Sequence, residues 1–214
     1  HLIEGGSFTF GKGRGGNIDR LREWTAETGS TAGSGGNPQG IALDIVDPVT
    51  VPLLDLSVVA VSSSLIRWLL AHGRVRDAAI CLGRPYALRG VVVEGFKRGR
   101  TIGAATANLR CDNQLVPGDG VYVGRCTIDG QTYPAAVSIG SLPTFDHRKL
   151  QVEAHLVGFN GDLYGQTLEV ELLDWVREQR KFSGVEPLKT QIERDLLVVR
   201  ARSTLTPNRP IAVA

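Results

Sequence analysis

The sequence predicts a mixed helix–strand segment followed by a small antiparallel barrel or sandwich, with one helix at its C-terminal end. Three observations carry this expectation. Short runs with apolar alternation recur at regular spacing from Tyr86 to Leu173, separated by turn signals. A single amphipathic stripe of Leu188, Ile192, Leu196 and Val199 follows them. Before Tyr86, glycine-bounded helical patterns alternate with short β-branched runs.

In order along the chain, Phe10–Gly16 is a glycine-rich turn, and Asn17 is placed to cap a short helix carrying Ile18, Leu21 and Trp24. Gly29–Gly36 is low in complexity and reads as a loop. Residues 41–61, broken by Pro48 and Pro52, predict short strands. Val61–Arg67 reads as a strand end running into a serine-capped helix that stops at Gly73, and a second helix over 75–82 stops at Gly83. The strand region starts with Leu88, Val91 and Val93. Gly120–Ile128 and Tyr133–Ile139 follow, joined by an Asp129-Gly130 hairpin turn. Gln151–Phe159 is expected as a strand ended by Asn160-Gly161, and Thr167–Leu173 puts Leu168, Val170 and Leu172 on one face. Ser183 and Glu186 have capping-box spacing for the last helix. The tail from Ser203, with Pro207 and Pro210, is expected to be disordered.

Composition excludes several classes. The chain has 214 residues, 42% hydrophobic and 21% charged, with a net charge of +2. That suits one or two domains with a real core and gives no nucleic-acid footprint. No apolar run approaches the ~18 residues of a membrane span, and His1–Gly6 has no signal-peptide pattern. Cys81, Cys111 and Cys126 include no Cys-x-x-Cys pair and are expected to be reduced thiols of a cytoplasmic protein. There is no Met, so we expect the C-terminal piece of something longer.

Candidate chemistry gathers in two places. In Gly95–Asn108, the glycines Gly95, Gly99 and Gly103 allow close approach of backbone amides to an anion, with Lys97, Arg98 and Arg100 beside them. The spacing departs from the Walker A loop, and taken alone this stretch favours a glycine-rich turn with solvated charges. Thr106 and Asn108, two apart, share a face in an extended segment and offer hard oxygen donors of the kind Mg²⁺ uses. The second place is Val152–Leu156. There Glu153 and His155 face away from Val152, Ala154 and Leu156, so Glu153 is either an ordinary exposed strand residue or a general base for an alcohol.

These motifs resemble the riboflavin kinase module of bacterial bifunctional riboflavin kinase/FAD synthetases, from about Leu82 to Arg200. The family signature is a glycine-rich stretch ending Gly-x-Pro-Thr-Ala-Asn, then a Val-Glu-x-His strand. The resemblance implies a split barrel converting ATP and riboflavin to ADP and FMN. It makes Thr106 and Asn108 the ligands of Mg²⁺ and ATP, and Glu153 the group that activates the riboflavin 5′-hydroxyl. Gly95 and Arg100 match positions lining the ATP phosphates, to which the anion reading adds Lys97 and Gly103. Leu156 and Tyr164 match positions near the nucleotide base, and Arg177, Arg180 and Phe182 fall in the flavin-binding loop. Asp119–Tyr122, Ser138–Gly140, Pro143–Phe145 and Gly161–Gly165 are further family-like runs. One departure is central: Ala104-Ala105 stands where the family has an apolar residue and Pro. Losing a proline typically costs ~0.4–1 kcal/mol and loosens a loop.

Ser7–Gly13 and Val61–Arg67 resemble the second half of the family's adenylyltransferase domain, which implies a Rossmann-like α/β remnant. Ser62, Ser63, Ser64 and Arg67 would be its ATP motif. The His-x-Gly-His element is missing, because the four histidines are His1, His72, His147 and His155. The expected organisation is a partial adenylyltransferase domain over 1–72, a linking helix over 73–83 and a kinase domain over 84–202. The tail is 203–214. FAD synthesis is expected of the full-length protein rather than of this chain, whose missing partner is the rest of that domain. Two rivals are a flavin-binding barrel without catalysis and a destabilised remnant. A passive binder would need neither the Mg²⁺ ligands nor Glu153.

Overall fold

In the computed structural model, which describes residues 1–30, 41–94, 106–143 and 148–204, the chain divides into two units, His1–Thr50 and Val51–Ala214. In the first unit, β1 (Leu2–Gly5) pairs in parallel with β4 (Leu43–Val46). Between them lie a small hairpin, β2 (Thr9–Phe10) with β3 (Gly16–Asn17), and the helix α1 (Ile18–Ser30). Parallel neighbours need a crossover, and a helix lies within this one; this is the α/β character expected of the region. The Asn17 cap is present: Oδ1 accepts the Arg20 amide at 3.0 Å. Ile18 and Leu21 are buried, and Trp24 packs its ring on Phe10 with centroids 5.4 Å apart.

The second unit starts at the second residue of β5 (Thr50–Pro52), the strand that pairs with β6 (Val58–Ala60). Two helices follow, α2 (Ser63–Ala71) and α3 (Val75–Leu82), ended near Gly73 and Gly83, both with positive φ. Asp77, nearly fully buried on α3, accepts the Leu54 amide at 2.8 Å and Arg74 Nε at 2.7 Å, while Arg74 Nη2 reaches Asp55 at 2.8 Å. A buried carboxylate is tolerable only when its oxygens are satisfied in this way, and the result ties the β5–β6 turn to α3.

Six strands then close into a barrel in the order β10-β11-β8-β7-β12-β9, antiparallel at every junction. They are β7 (Tyr86–Val93), β8 (Ala107–Cys111), β9 (Gly120–Ile128), β10 (Gln131–Pro143), β11 (Arg148–Leu156) and β12 (Thr167–Arg177). The choice between barrel and sandwich is thus settled by closure, which removes both sheet edges. The hairpin turn is as expected, with φ of 48° at Asp129 and 81° at Gly130, the double positive φ of a type I′ turn. Leu88, Val137, Val152, Ala154, Leu168, Val170 and Leu172 fill the interior.

The last helix, α4 (Val185–Arg202), packs against the outside of β9, β10 and β12 over a second apolar cluster of Val123, Leu173 and Val199. Two register shifts bulge β12 beside it, and Asp174 there accepts Arg202 Nη1 at 3.0 Å. Three local expectations need correction. The capping box does not form: Gly184 is the N-cap and no side chain caps the helix, which leaves Ser183 one residue too early. The strand expected to run to Phe159 ends at Leu156, where Gly158 with φ 82° turns the chain. Ser203, assigned to the tail, is a buried C-cap of α4 whose amide donates to the Val199 carbonyl at 2.9 Å. Residues 205–214 lie outside the described residues.

Candidate active site

The period-2 alternation of strands decides which side chains meet. On β11, Val152, Ala154 and Leu156 point into the barrel, so Gln151, Glu153 and His155 share its outer face. On β8, Ala107 and Leu109 point inward, so Thr106 and Asn108 face outward. The ladder sets Asn108 opposite Glu153, with Ser138 of β10 opposite Glu153 on its other side. Thr106 Oγ1 donates to Glu153 Oε2 at 3.5 Å. Gln151 Nε2 donates to Asn108 Oδ1 at 3.1 Å and to Glu153 Oε1. Three sequence-predicted residues, Thr106, Asn108 and Glu153, therefore form one half-buried cluster.

The loop after β12 carries a second group. Arg177 grips the buried Asp195 of α4 through Nε at 3.1 and 3.0 Å and Nη2 at 2.8 Å. Gln191 donates to the same carboxylate at 2.7 Å and receives Arg180. The Arg177 and Arg180 guanidinium carbons lie 5.7 and 5.1 Å from the Phe182 ring centroid, in cation–π range. A cleft of about 410 Å³ opens here between Arg180, Phe182, Pro187, Gln191 and Arg194. Gln179 joins the two groups: its Nε2 donates to Ser138 Oγ at 2.7 Å and to the Ile139 carbonyl at 3.2 Å. Through Ser138, the loop is held on the strand beside Glu153.

The other expected residues are spread more widely. Gly95, Lys97, Arg100 and Gly103 lie outside the described residues. Leu156 is only 6% exposed and sits in the barrel core, while Tyr164 is 42% exposed in the turn after β11, its amide held by Asp162 Oδ1 at 3.0 Å. At the start of α2, Ser62 Oγ accepts the Leu65 amide at 3.2 Å and Ser63 Oγ accepts Arg67 Nη1 at 3.4 Å, with Ser64 exposed in the first turn. Ser62 is thus a helix cap.

Burial pushes the Cys111 thiol up to about 11 and raises the Cys81 and Cys126 thiols, so all three are poor nucleophiles at neutral pH. The sequence reading missed Gln151, Gln179 and Asp195. Gln151 was accessible to it, since a residue two before Glu153 shares its face.

The family described as riboflavin kinase (flavokinase) matches residues 82–203. A bifunctional riboflavin kinase/FMN adenylyltransferase of Bacillus subtilis is 40% identical over 139 residues, covering 63% of this chain and 44% of that protein. One from Pseudomonas fluorescens is 34% identical over 210 residues, covering 98% of this chain and 62% of that protein. The crystal structure of a macrolide-efflux protein from Streptococcus pneumoniae superposes with a TM-score of 0.74 at 34% identity, covering 92% of this chain and 58% of that one. The chain thus spans roughly half of the curated relatives it matches. No described helix is long and apolar enough to cross a membrane. With a matched segment spanning the whole barrel and α4, the chain belongs to the riboflavin kinase family.

Proposed function

We propose that this chain transfers the γ-phosphoryl group of ATP to the 5′-hydroxyl of riboflavin, giving FMN and ADP, with Glu153 as general base. The observation that carries the reading is the cluster of Thr106, Asn108 and Glu153 on one outward face of the barrel. The ribityl oxygen attacks the γ-phosphorus, the bond from that phosphorus to the ADP oxygen breaks, and the hydroxyl proton passes to the Glu153 carboxylate. Such transfers are won by positioning and charge neutralisation.

The donor set fits Mg²⁺. Among the described residues no three His, Cys, Asp or Glu side chains gather into a metal cage, and the neutral oxygens of Thr106 and Asn108 suit a cation that relies on phosphate and water for its other ligands. Bound there, Mg²⁺ would neutralise phosphate charge. Gly95, Lys97, Arg100 and Gly103 are proposed to cradle the phosphates, and Tyr164 to meet the base at the surface. Leu156 supports the wall from inside the barrel. Arg180 and Phe182 line the cleft that we assign to the isoalloxazine ring, and Arg177, fully engaged with Asp195, holds the loop in place.

Glu153→Gln tests the reading, since it removes the base and keeps the shape. A general base is worth ~10²–10⁴-fold in rate, so FMN formation should fall by that order. Flavin affinity, followed by fluorescence quenching, should stay within a few-fold. Turnover near that of the parent would remove Glu153 from the role.

A further inference from the structure

Gln151 has no assigned role, yet it touches both strands of the cluster. Its Nε2 is a pure donor: a primary amide nitrogen has two N–H groups and no acceptor capacity. One hydrogen bond goes across to Asn108 Oδ1 at 3.1 Å and one along the strand to Glu153 Oε1. The arrangement is directional. If the Gln151 amide were flipped, its oxygen would face a carboxylate and a carbonyl oxygen. If Asn108 were flipped, two NH₂ groups would meet. Each reversal replaces attraction by repulsion, so this one amide fixes how both neighbours point.

We propose that Gln151 is a positioning residue for phosphoryl transfer: it holds the Glu153 carboxylate and the Asn108 amide in their working orientations. The inference rests on the kinase reading above. A glutamate on the outer face of a strand has several rotamers, and on the described side chains Oε1 is held by Gln151 and Oε2 by Thr106. Gln151 ties the Asn108 side chain of β8 to the Glu153 side chain of β11, and it does so through a group that neither titrates nor reacts. The same amide orients Asn108 Oδ1, the oxygen proposed for Mg²⁺, so one residue sets the proton acceptor and the cation donor together.

The test is a series at this position. Gln151→Leu keeps the size and removes both hydrogen bonds. Gln151→Glu keeps the shape and removes the donor. Gln151→Lys keeps a donor of sufficient reach. Misplacing a reacting group by about an ångström can cost ~10²-fold. We expect kcat to fall ~10- to 100-fold in the Leu and Glu variants, with the KM for riboflavin, the flavin affinity and the melting temperature close to the parent, and partial recovery of kcat in the Lys variant. Parent-like kcat in Gln151→Leu overturns the inference, as does a loss that appears only in KM or in melting temperature. An inactive parent would instead count against the kinase reading. In that case crystal structures of the parent and Gln151→Leu decide: unchanged Glu153 and Asn108 rotamers contradict the positioning role, and rotated ones support it.

Discussion

The barrel wall has two outer faces, and they are treated in opposite ways. Over β9, β10 and β12 the outward row contains Val123, Ala136 and Leu173, and α4 covers it with Val199. Over β8 and β11 the outward row is Thr106, Asn108, Gln151 and Glu153, joined by hydrogen bonds. The same alternation produces both. Apolar outward residues gain by removing area from water, and a helix serves that need. Polar outward residues would lose hydration under a helix and need partners of their own. The difference teaches that, in a closed barrel, the chemistry of the outward row decides which part of the wall is sealed by a helix and which carries a hydrogen-bonded polar cluster.

Substitutions should separate the two faces. The largest effect is on the polar face, where Glu153→Gln should cost turnover by ~10²–10⁴-fold with little change in melting temperature; loss of folding instead would blur the distinction. On the sealed face, Asp195→Ala leaves the Arg177 guanidinium without its buried partner. Breaking such a pair costs ~3–5 kcal/mol, so chemical denaturation should show a large loss of stability, together with weaker flavin binding as the Arg177–Phe182 loop loosens. Val199→Ala removes methyl groups from the apolar seam and should cost ~1–2 kcal/mol, while turnover per folded molecule stays unchanged. A drop in turnover at full folding would show that the two faces are coupled.

The smallest effect lies away from both faces. Asp55 is held down to about 2 from an ordinary 3.8 by the Ser57 hydroxyl, then the Ser57 amide, then Arg74. Because the folded value is the lower one, its contribution is present above pH ~4 and fades as pH falls towards 2. Asp55→Asn should therefore lower the melting temperature slightly near neutrality, with the difference from the parent shrinking as pH falls from about 4 towards 2, as melting curves between pH 2 and 7 would record.

Much of this was legible in the sequence because local rules and tertiary needs agree. The Asp129-Gly130 turn, the Ser62 and Asn17 caps and the helix stops at Gly73 and Gly83 each follow from one or two residues. The face shared by Thr106, Asn108 and Glu153 follows from period-2 alternation once both segments are strands. Periodicity alone left barrel and sandwich open, since closure depends on β9 pairing with the distant β12 as well as with its hairpin neighbour β10, and only the family resemblance pointed to the barrel. The Gly184 cap was misread because Ser183 and Glu186 fit a local motif that the chain does not use. Gln179 and Asp195 were missed because their partners, Ser138 and Arg177, are 41 and 18 residues away.

The central claim is most directly tested by incubating this chain with riboflavin, ATP and Mg²⁺ and separating riboflavin, FMN and FAD by chromatography. The account predicts that FMN accumulates, dependent on ATP, and that no FAD follows, since the His-x-Gly-His element is missing from the 214 residues. Formation of FAD would contradict the second part. A folded chain that binds flavin yet makes no FMN would contradict the first and leave a flavin-binding barrel in its place.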